Sequence, residues 1–274
     1  MRALRVTTSG GGEAIFDDAA VQEFAASLRG PLLCQGNDGY DEARRLFNDM
    51  IDHRPALIAR CAGAADAVAA VRFAREHDLR ISMKGGGHGV AGKAVCHGGL
   101  MIDFSRMKSI RVDPAARIVR AEPGVLGAEL DRETQAFGLA TPVGTVSTTG
   151  IAGLTLGGGQ SWLASKHGFA IDNLLSVDII TADGTLRSAS ATQHEDLFWA
   201  VRGAGHNFGV VTSFEYCLHP VGPVLGGLII HPLSQAVEVL RFYRDFTAFQ
   251  PDELQTWAGI LTLPDGNKVI ALGF

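Results

Sequence analysis

Two glycine-rich segments limit the folds that this chain can adopt more than any other feature of the sequence. They are KGGGHGVAG at residues 84–92 and GIAGLTLGGG at residues 150–159. Glycine has no Cβ atom, so these segments allow tight turns and let the backbone approach another segment or a ligand closely. Because 46% of the residues are hydrophobic, we expect a packed protein that holds a buried ligand.

The first segment contains two patterns that are known from phosphate-binding loops. From Gly87, the residues GHGVAG fit the dinucleotide pattern G-x-G-x-x-G, and Lys93 extends the fit to most of a P-loop. Both sites need a helix directly after the glycines, but the apolar strand predicted at residues 100–104 follows too soon for a crossover helix. Ala94 also lacks the hydroxyl that binds magnesium in a P-loop. Both interpretations are therefore disfavoured, and Lys93 is expected to be solvated.

A third interpretation treats residues 84–92 as a turn after a strand, whose backbone amides bind phosphate. His88 then lies at the centre of the turn. The alternative is a histidine that only hydrogen-bonds within the turn, and the segment by itself leaves both open. In the same way, the glycines of residues 150–159 either contact a planar ligand or only form turns.

The pattern of apolar residues predicts an α+β fold. Strands and helices are interspersed without the regular rhythm of a doubly wound sheet, so two small α+β lobes are expected instead. The predicted elements are a helix at 41–53, a strand–helix–strand unit at 56–84, a hairpin at 109–124, a helix at 125–138, a hairpin at 176–190, a helix at 194–202, a strand at 207–220, a helix at 233–249 and a hairpin at 256–274.

Charge, cysteine spacing and hydropathy exclude several classes of protein. The formal net charge is -5 and no stripe of Lys and Arg is present, so nucleic acid is not an expected partner. The four cysteines lack a C-x-x-C spacing, which argues against a metal site and a disulfide scaffold. The uncharged run at 134–165 contains Pro142 and many Gly, Ser and Thr, so it is interpreted as buried loop and turn. With no signal-peptide core at the start, we expect a cytoplasmic protein without a membrane partner.

The composition changes at residues 220–227, PVGPVLGG, and the chain ends in an apolar strand at Phe274. Since an apolar strand without a polar tail is unusual at a natural terminus, a second domain is expected to begin near residue 221 and to be truncated.

Three longer motifs carry a resemblance to a known family. They are KGGGHGVAG at 84–92, the segment from TPVGTVSTTG to TADG at 141–184, and DLFWAVRGAGHNFGVVTSFE at 196–215. Together they resemble the flavin domain of the vanillyl-alcohol oxidase and p-cresol methylhydroxylase family, particularly berberine bridge enzyme-like oxidases. The resemblance implies a helical lead-in at 1–53, a two-lobed FAD-binding domain at 54–220 and the start of a truncated α+β substrate domain at 221–274.

The resemblance also implies the site. His88 stands where the family commonly bonds covalently to FAD, and Val146 stands where some relatives carry a second, cysteinyl link, so a single histidyl link is expected. Lys84 replaces a usual arginine and keeps its charge without the planar fork. The implied cofactor-binding residues are Lys84, Gly85, Gly86, Gly87, His88, Gly89, Val90, Pro142, Gly144, Val146, Gly150, Ile151, Gly153, Leu154, Gly158, Gly159, Asn173, Val177, Gly209 and Val210.

Two further departures from the family pattern are His167 and His206, which are interpreted as core or surface histidines rather than catalytic groups. The implied reaction transfers a hydride from a C–H bond of a small-molecule alcohol, amine, sugar or alkaloid to FAD, and oxygen then reoxidises the flavin. No residue of the sequence stands out as the catalytic base, and the sequence assigns neither the substrate nor the oligomeric state. The alternative is a flavin-binding module or fragment without turnover of its own.

Overall fold

The computed structural model describes residues 3–274, in which strands form sheets of four, five and three strands, together with two pairs of short strands, and helices lie beside them. The first two residues of the predicted lead-in at 1–53 lie outside this range. Within the range, no helix is both long enough and apolar enough to span a membrane. The combination of helices and largely antiparallel sheets is the mixed α+β class that the sequence predicts.

The first part of the chain contains short strands as well as helices. Its elements are β1 (Leu4–Thr7), β2 (Glu13–Phe16), α1 (Asp18–Ala26), β3 (Leu32–Leu33) and α2 (Tyr40–Arg44). The predicted helix over 41–53 is wrong beyond Arg44, because the backbone becomes extended at Arg45 (φ −66°, ψ 144°). Two residues later the Phe47 amide donates to the carbonyl of Gly87 at 3.1 Å. A contact with a distant loop therefore replaces the continuation of the helix.

The four-stranded sheet positions the first glycine segment. Its strands are β3, β4 (Leu57–Arg60), β5 (Ile81–Lys84) and β6 (Leu100–Asp103), and the helix α3 (Ala64–Glu76) connects β4 to β5. The strand order is β3-β4-β6-β5, and both β4 and β5 run parallel to β6. All four residues of β6 are buried, as expected for a strand between two parallel neighbours. The predicted strand–helix–strand unit is confirmed, and β5 ends where residues 85–92 begin.

Asp66 anchors the start of α3 to the preceding chain. Its side chain accepts hydrogen bonds from the backbone amides of Arg29 (3.0 Å), Gly30 (3.0 Å) and Ala62 (2.8 Å), and the residue is 4% exposed. Burial raises the pKa of Asp66, but the three amides and the Arg29 charge lower it by more, so the pKa lies below its ordinary value. The ionised carboxylate therefore stabilises the folded state.

We expect Asp66→Asn to lower the free energy of unfolding at pH 7 by about 1–3 kcal/mol, because the amides lose a charged acceptor. A carboxylate with a depressed pKa contributes stability above its unfolded pKa and loses it as the pH falls through the folded value. The difference between the wild type and the variant should therefore shrink at acidic pH in urea titrations. Asp38→Asn, at an exposed position, is the control. It should change neither the free energy of unfolding at pH 7 nor the dependence of that free energy on pH.

The five-stranded sheet has its own buried core. Its strands and the elements between them are β7 (Ile110–Asp113), β8 (Ile118–Ala121), α4 (Gly127–Gln135), β9 (Leu139–Ala140), α5 (Ile151–Leu156), α6 (Ala164–His167), β10 (Leu174–Ile180), β11 (Leu186–Ser190), α7 (Glu195–Ala204), β12 (Val210–Cys217) and β13 (His219–Pro220). The order is β11-β10-β12-β8-β7, with every neighbouring pair antiparallel. Both predicted hairpins, at 109–124 and 176–190, are confirmed. Short β9 and β13 pair with each other outside this sheet.

The second glycine segment differs from its prediction. The uncharged run at 134–165 was expected to be buried loop and turn, but residues 151–156 form the helix α5. Ile151, Thr155 and Leu156 are buried on one side of it, and the Thr155 hydroxyl lies 2.8 Å from the Tyr216 hydroxyl in β12. Because the buried side chains repeat with helical spacing, packing against the core of the five-stranded sheet, the second core, outweighs the weak helix propensity of Gly153.

The last part of the chain adds the three-stranded sheet. Its elements are β14 (Leu228–Pro232), α8 (Ala236–Thr247), β15 (Trp257–Thr262) and β16 (Lys268–Gly273), in the strand order β14-β16-β15. The predicted helix and hairpin are confirmed. Ser165, in α6, donates its hydroxyl to the Gln255 side chain at 2.6 Å, and this contact joins α6 to the segment between α8 and β15.

Candidate functional site

The loop after β5 has the shape of a turn rather than of a nucleotide-binding helix start. In the described chain, no helix lies between β5 and β6, so the dinucleotide and P-loop patterns lack the element on which they depend. Gly87 and Gly92 have φ of +66° and +71°, a region in which residues with a Cβ are strained. Lys93 is exposed, as the sequence predicts.

The loop offers a row of free backbone donors. Within residues 3–274, the amides from Gly86 to Ala91 donate to no protein acceptor, whereas the carbonyls of Gly87 and Val90 accept hydrogen bonds from residues 47 and 48. Consecutive free amides in a glycine-rich turn form a concave site for an anion such as a phosphate. The loop therefore has the donors that a pyrophosphate requires.

Lys84 lies beneath this loop. Its ammonium donates to the Ala43 carbonyl at 2.5 Å, and its side chain lies next to Gly87. Burial lowers the pKa of Lys84, and the Asp103 carboxylate opposes that effect. The lysine thus ties the end of β5 to α2, and its amine faces a protein carbonyl.

The two glycine segments touch through their backbones. A Cβ atom on Gly86 would lie 2.5 Å from the Gly150 nitrogen, and a Cβ on Gly150 would lie 2.4 Å from the Gly86 nitrogen. A Cβ on Gly85 would lie 2.7 Å from the Pro123 carbonyl oxygen. These distances are shorter than real Cβ contacts, so glycine is required at all three positions. The structure therefore brings the first turn and the start of α5 into one site.

His88 has an unpartnered nitrogen at this site. Its Nε2 atom is buried and has no hydrogen-bond partner, although buried polar atoms of this kind are usually satisfied. The imidazole is stacked on the Phe47 ring, with centroids 3.9 Å apart and planes 14° apart. The structure thus gives no support to the alternative that His88 only hydrogen-bonds within its turn.

The sequence did not single out the segment that contacts His88. Besides Phe47, it includes Asn48, whose amide group donates to the Val90 carbonyl at 2.9 Å, and buried Leu46 beside Gly87. The segment was assigned to a helix on its periodicity. Its partner lies some 40 residues away along the chain, and the local sequence carries no signal of such a contact.

Several predicted site residues cluster around Leu154 in α5. A Cβ on Gly144 would lie 2.8 Å from one Leu154 methyl, and a Cβ on Gly159 would lie 2.7 Å from the other. Ile151 is fully buried, whereas Val146 is 48% exposed. The remaining predicted residues of this region are buried Pro142, Gly153 inside α5 and Gly158, which has a φ of +114°.

Four other predicted residues have structural roles. The Asn173 side chain donates to the carbonyls of His167 (2.8 Å) and Phe169 (2.9 Å), so its amide group is occupied. Val177 is 1% exposed and belongs to the second core. Gly209 and Val210 lie against β10, where a Cβ on Gly209 would be 2.4 Å from the Ile180 carbonyl oxygen. None of the four hydrogen-bonds to the turn at 84–92 in the described structure.

The two unusual histidines lie outside the turn. The His167 ring stacks on the His219 ring with centroids 4.0 Å apart, and His219 Nε2 lies 2.6 Å from the Asn173 side-chain oxygen. Burial lowers the pKa of His167 and that of His219, and the charge of Lys166 adds to the effect on His167. His206 is exposed. His167 is half-buried and does not belong to the core. Within residues 3–274, no cluster of acidic, His and Cys side chains could hold a metal ion.

A comparison with models of protein families identifies the domain that contains the turn at residues 84–92. Residues 55–190 match the model of an FAD-binding domain. The chain therefore carries an FAD-binding domain, and it is similar to FAD-linked oxidoreductases. An FAD-linked oxidoreductase of Dictyostelium discoideum is 36% identical over 255 residues, which are 92% of this chain and 56% of that protein. The (R)-6-hydroxynicotine oxidase of Paenarthrobacter nicotinovorans is 39% identical over 193 residues, which are 70% of this chain and 42% of that protein.

Solved structures show the same relationship. 6-Hydroxy-D-nicotine oxidase from Arthrobacter nicotinovorans superimposes with a TM-score of 0.86 at 33% identity, over 90% of this chain and 55% of that one. BBE-like 1 from Physcomitrella patens gives a TM-score of 0.84 at 26% identity, over 93% of this chain and 56% of that one. This chain therefore spans about half the length of the relatives that it matches.

The residues of the FAD-binding domain fit the cofactor. The free amides from Gly86 to Ala91 suit its pyrophosphate, and the unpartnered His88 nitrogen offers a contact for the flavin. The contact between Gly86 and Gly150 holds the turn beside the start of α5. When bound, FAD supplies the redox chemistry, and the protein supplies binding, orientation and electrostatics.

We expect Gly86→Ala to lower the free energy of unfolding by about 1–3 kcal/mol, because its Cβ forces the two backbones apart, and to weaken FAD binding. Gly89→Ala is the control for the effect on stability, since a Cβ on Gly89 has no neighbour within 4 Å. Urea titration of the FAD-free protein measures stability, and fluorescence titration measures FAD affinity. Equal losses of stability in the two variants would show that the contact with Gly150 is not the cause.

Proposed function

We propose that this chain is the FAD-binding part of an FAD-dependent oxidase. The enzyme would transfer a hydride from a C–H bond of a small-molecule alcohol, amine, sugar or alkaloid to the flavin and pass the electrons on to oxygen. The observation that carries the proposal is the buried, unpartnered His88 nitrogen beside a row of free amides. Matching relatives named as oxidases of 6-hydroxynicotine and of xylooligosaccharides support the reaction class.

The cofactor would lie between two lobes within residues 54–220. This arrangement is supported by the contact of Gly86, which follows the four-stranded sheet, with Gly150, which begins a helix packed on the core of the five-stranded sheet. Residues 1–53 would form the lead-in and residues 221–274 the start of a substrate domain. The four cysteines form no disulfide in the described chain, which is compatible with the cytoplasmic location that we propose.

The flavin would be attached covalently through His88 alone. A neutral imidazole supplies the electron pair of the new bond to the 8α carbon of the flavin, so the nitrogen that reacts must be free of a proton and of another partner. The His88 Nε2 atom meets the second condition. Val146, at the place of the second link in some relatives, has no nucleophilic atom, and its partly exposed side chain leaves space beside the ring.

The protein as purified should be yellow, and its flavin should remain attached after acid denaturation. His88→Ala should leave FAD binding detectable but release all of the flavin into the acid supernatant, because the variant lacks the nucleophile. The measurement is the visible absorption spectrum of the protein before and after acid precipitation. His97→Ala, at an exposed histidine, should retain its flavin, and acid-stable flavin in His88→Ala would place the link elsewhere.

Turnover separates the oxidase from the alternative of a flavin-binding module without turnover. Mixing the flavin-loaded protein anaerobically with a panel of alcohols, amines, sugars and alkaloids should bleach the flavin absorption in at least one case, and air should restore it with formation of hydrogen peroxide. A flavin that every compound leaves oxidised, and that dithionite still reduces, would favour the module.

A further inference from the structure

The stack between Phe47 and His88 is an unusual contact for a surface aromatic residue. Phe47 is 63% exposed, so its ring gains little from burial in a core. Its face nevertheless lies parallel to the imidazole, with 3.9 Å between centroids and 14° between planes. Offset or stacked rings at this separation attract each other beyond simple area burial. The ring is therefore placed to hold the imidazole rather than to fill the interior.

Backbone contacts fix Phe47 relative to the turn that carries His88. Its amide donates to the Gly87 carbonyl at 3.1 Å, on the residue before the histidine. The neighbouring Asn48 side chain donates to the Val90 carbonyl at 2.9 Å, two residues after the histidine. Phe47 and Asn48 thus contact the turn on both sides of His88, and these hydrogen bonds hold the backbone of Phe47 beside the turn.

No hydrogen bond within the described chain orients the His88 ring. Its buried Nε2 atom has no partner, and none of the side-chain hydrogen bonds found in residues 3–274 involves this imidazole. The ring plane is a soft torsion, so without another contact the imidazole would sample several orientations. The Phe47 face is the aromatic surface that lies against the ring and limits its rotation.

We propose that Phe47 is a positioning residue for attachment of the flavin to His88, a role that rests on the proposed function. Bond formation requires the imidazole nitrogen to approach the 8α carbon along one direction, and holding a nucleophile in such a near-attack orientation accelerates a reaction. By stacking on one face of the imidazole, Phe47 limits rotation about the bond to the ring and directs its edge toward the flavin.

The attachment step balances with oxygen as the oxidant. The imidazole electron pair forms the new bond between nitrogen and the 8α carbon. One proton leaves the 8α methyl group and one leaves the imidazole. The two electrons from the broken C–H bond remain on the flavin until dioxygen accepts them, and with the two protons it becomes hydrogen peroxide.

The test measures the rate of attachment rather than turnover. FAD-free protein, obtained from riboflavin-limited cells, is mixed with saturating FAD in air, and acid-stable flavin is followed with time. Phe47→Leu should slow attachment about threefold to tenfold, the range that corresponds to loss of one aromatic stack. Phe47→Tyr keeps the planar ring and should restore the wild-type rate. Phe137→Leu, which removes another half-exposed phenyl ring, should have no effect.

Two further measurements separate positioning from a structural effect. The affinity for FAD before attachment should be equal in the wild type and Phe47→Leu, and thermal unfolding should show that both proteins are fully folded at the assay temperature. In NMR spectra of the FAD-free protein, the His88 ring C–H signals should lie upfield in the wild type and in Phe47→Tyr, because an aromatic face covers them, and move downfield in Phe47→Leu.

The outcomes distinguish this role from the proposed function. A Phe47→Leu variant that attaches flavin at the wild-type rate overturns the role of Phe47 and leaves the histidyl link intact. A rate defect that Phe47→Tyr does not rescue, or that disappears at higher FAD concentration, also overturns it. Wild-type protein that binds FAD but never retains it in acid contradicts the link itself, and with it the role of Phe47.

Discussion

The site depends on the contact between the backbones of Gly86 and Gly150. A Cβ atom at either position would lie within 2.5 Å of the other residue's nitrogen, so the two segments approach as closely as peptide groups allow. This contact joins the loop that follows the four-stranded sheet to the helix that packs on the five-stranded sheet. It therefore sets the distance between the free amides of the loop and the small residues of the second segment, the two parts of the proposed FAD site.

A second constraint acts on the reactive side chain. The helix α2 ends at Arg44, and in the segment that follows it Phe47 and Asn48 donate hydrogen bonds to the carbonyls of Gly87 and Val90, on either side of His88. The hydrogen-bonding capacity of these residues goes to the loop, while the loop's own amides stay free for an anion. The contacts that replace the end of the helix thus also place Phe47 beside the histidine.

The sequence predicted many elements but not where they meet. The hairpins at 109–124 and 176–190 and the unit at 56–84 are confirmed, because alternating and helical patterns report which face of an element is buried. The helix at 41–53 is wrong beyond Arg44, where a distant carbonyl takes the Phe47 amide. The helix at 151–156 was missed because Gly153 and the glycines on either side of the helix suggest turns, and only packing against the second core outweighs that preference.

The sequence by itself determined the class of fold, the two glycine-rich segments and the choice of His88 as the candidate functional residue. These depend on residue types and on their spacing within short stretches. The tertiary structure decided which segments surround that histidine: Gly150 against Gly86, and Phe47 against the imidazole. Such contacts depend on how separate sheets and loops pack. Local periodicity does not predict these contacts, because the partners lie far apart along the chain and come together only in the folded protein.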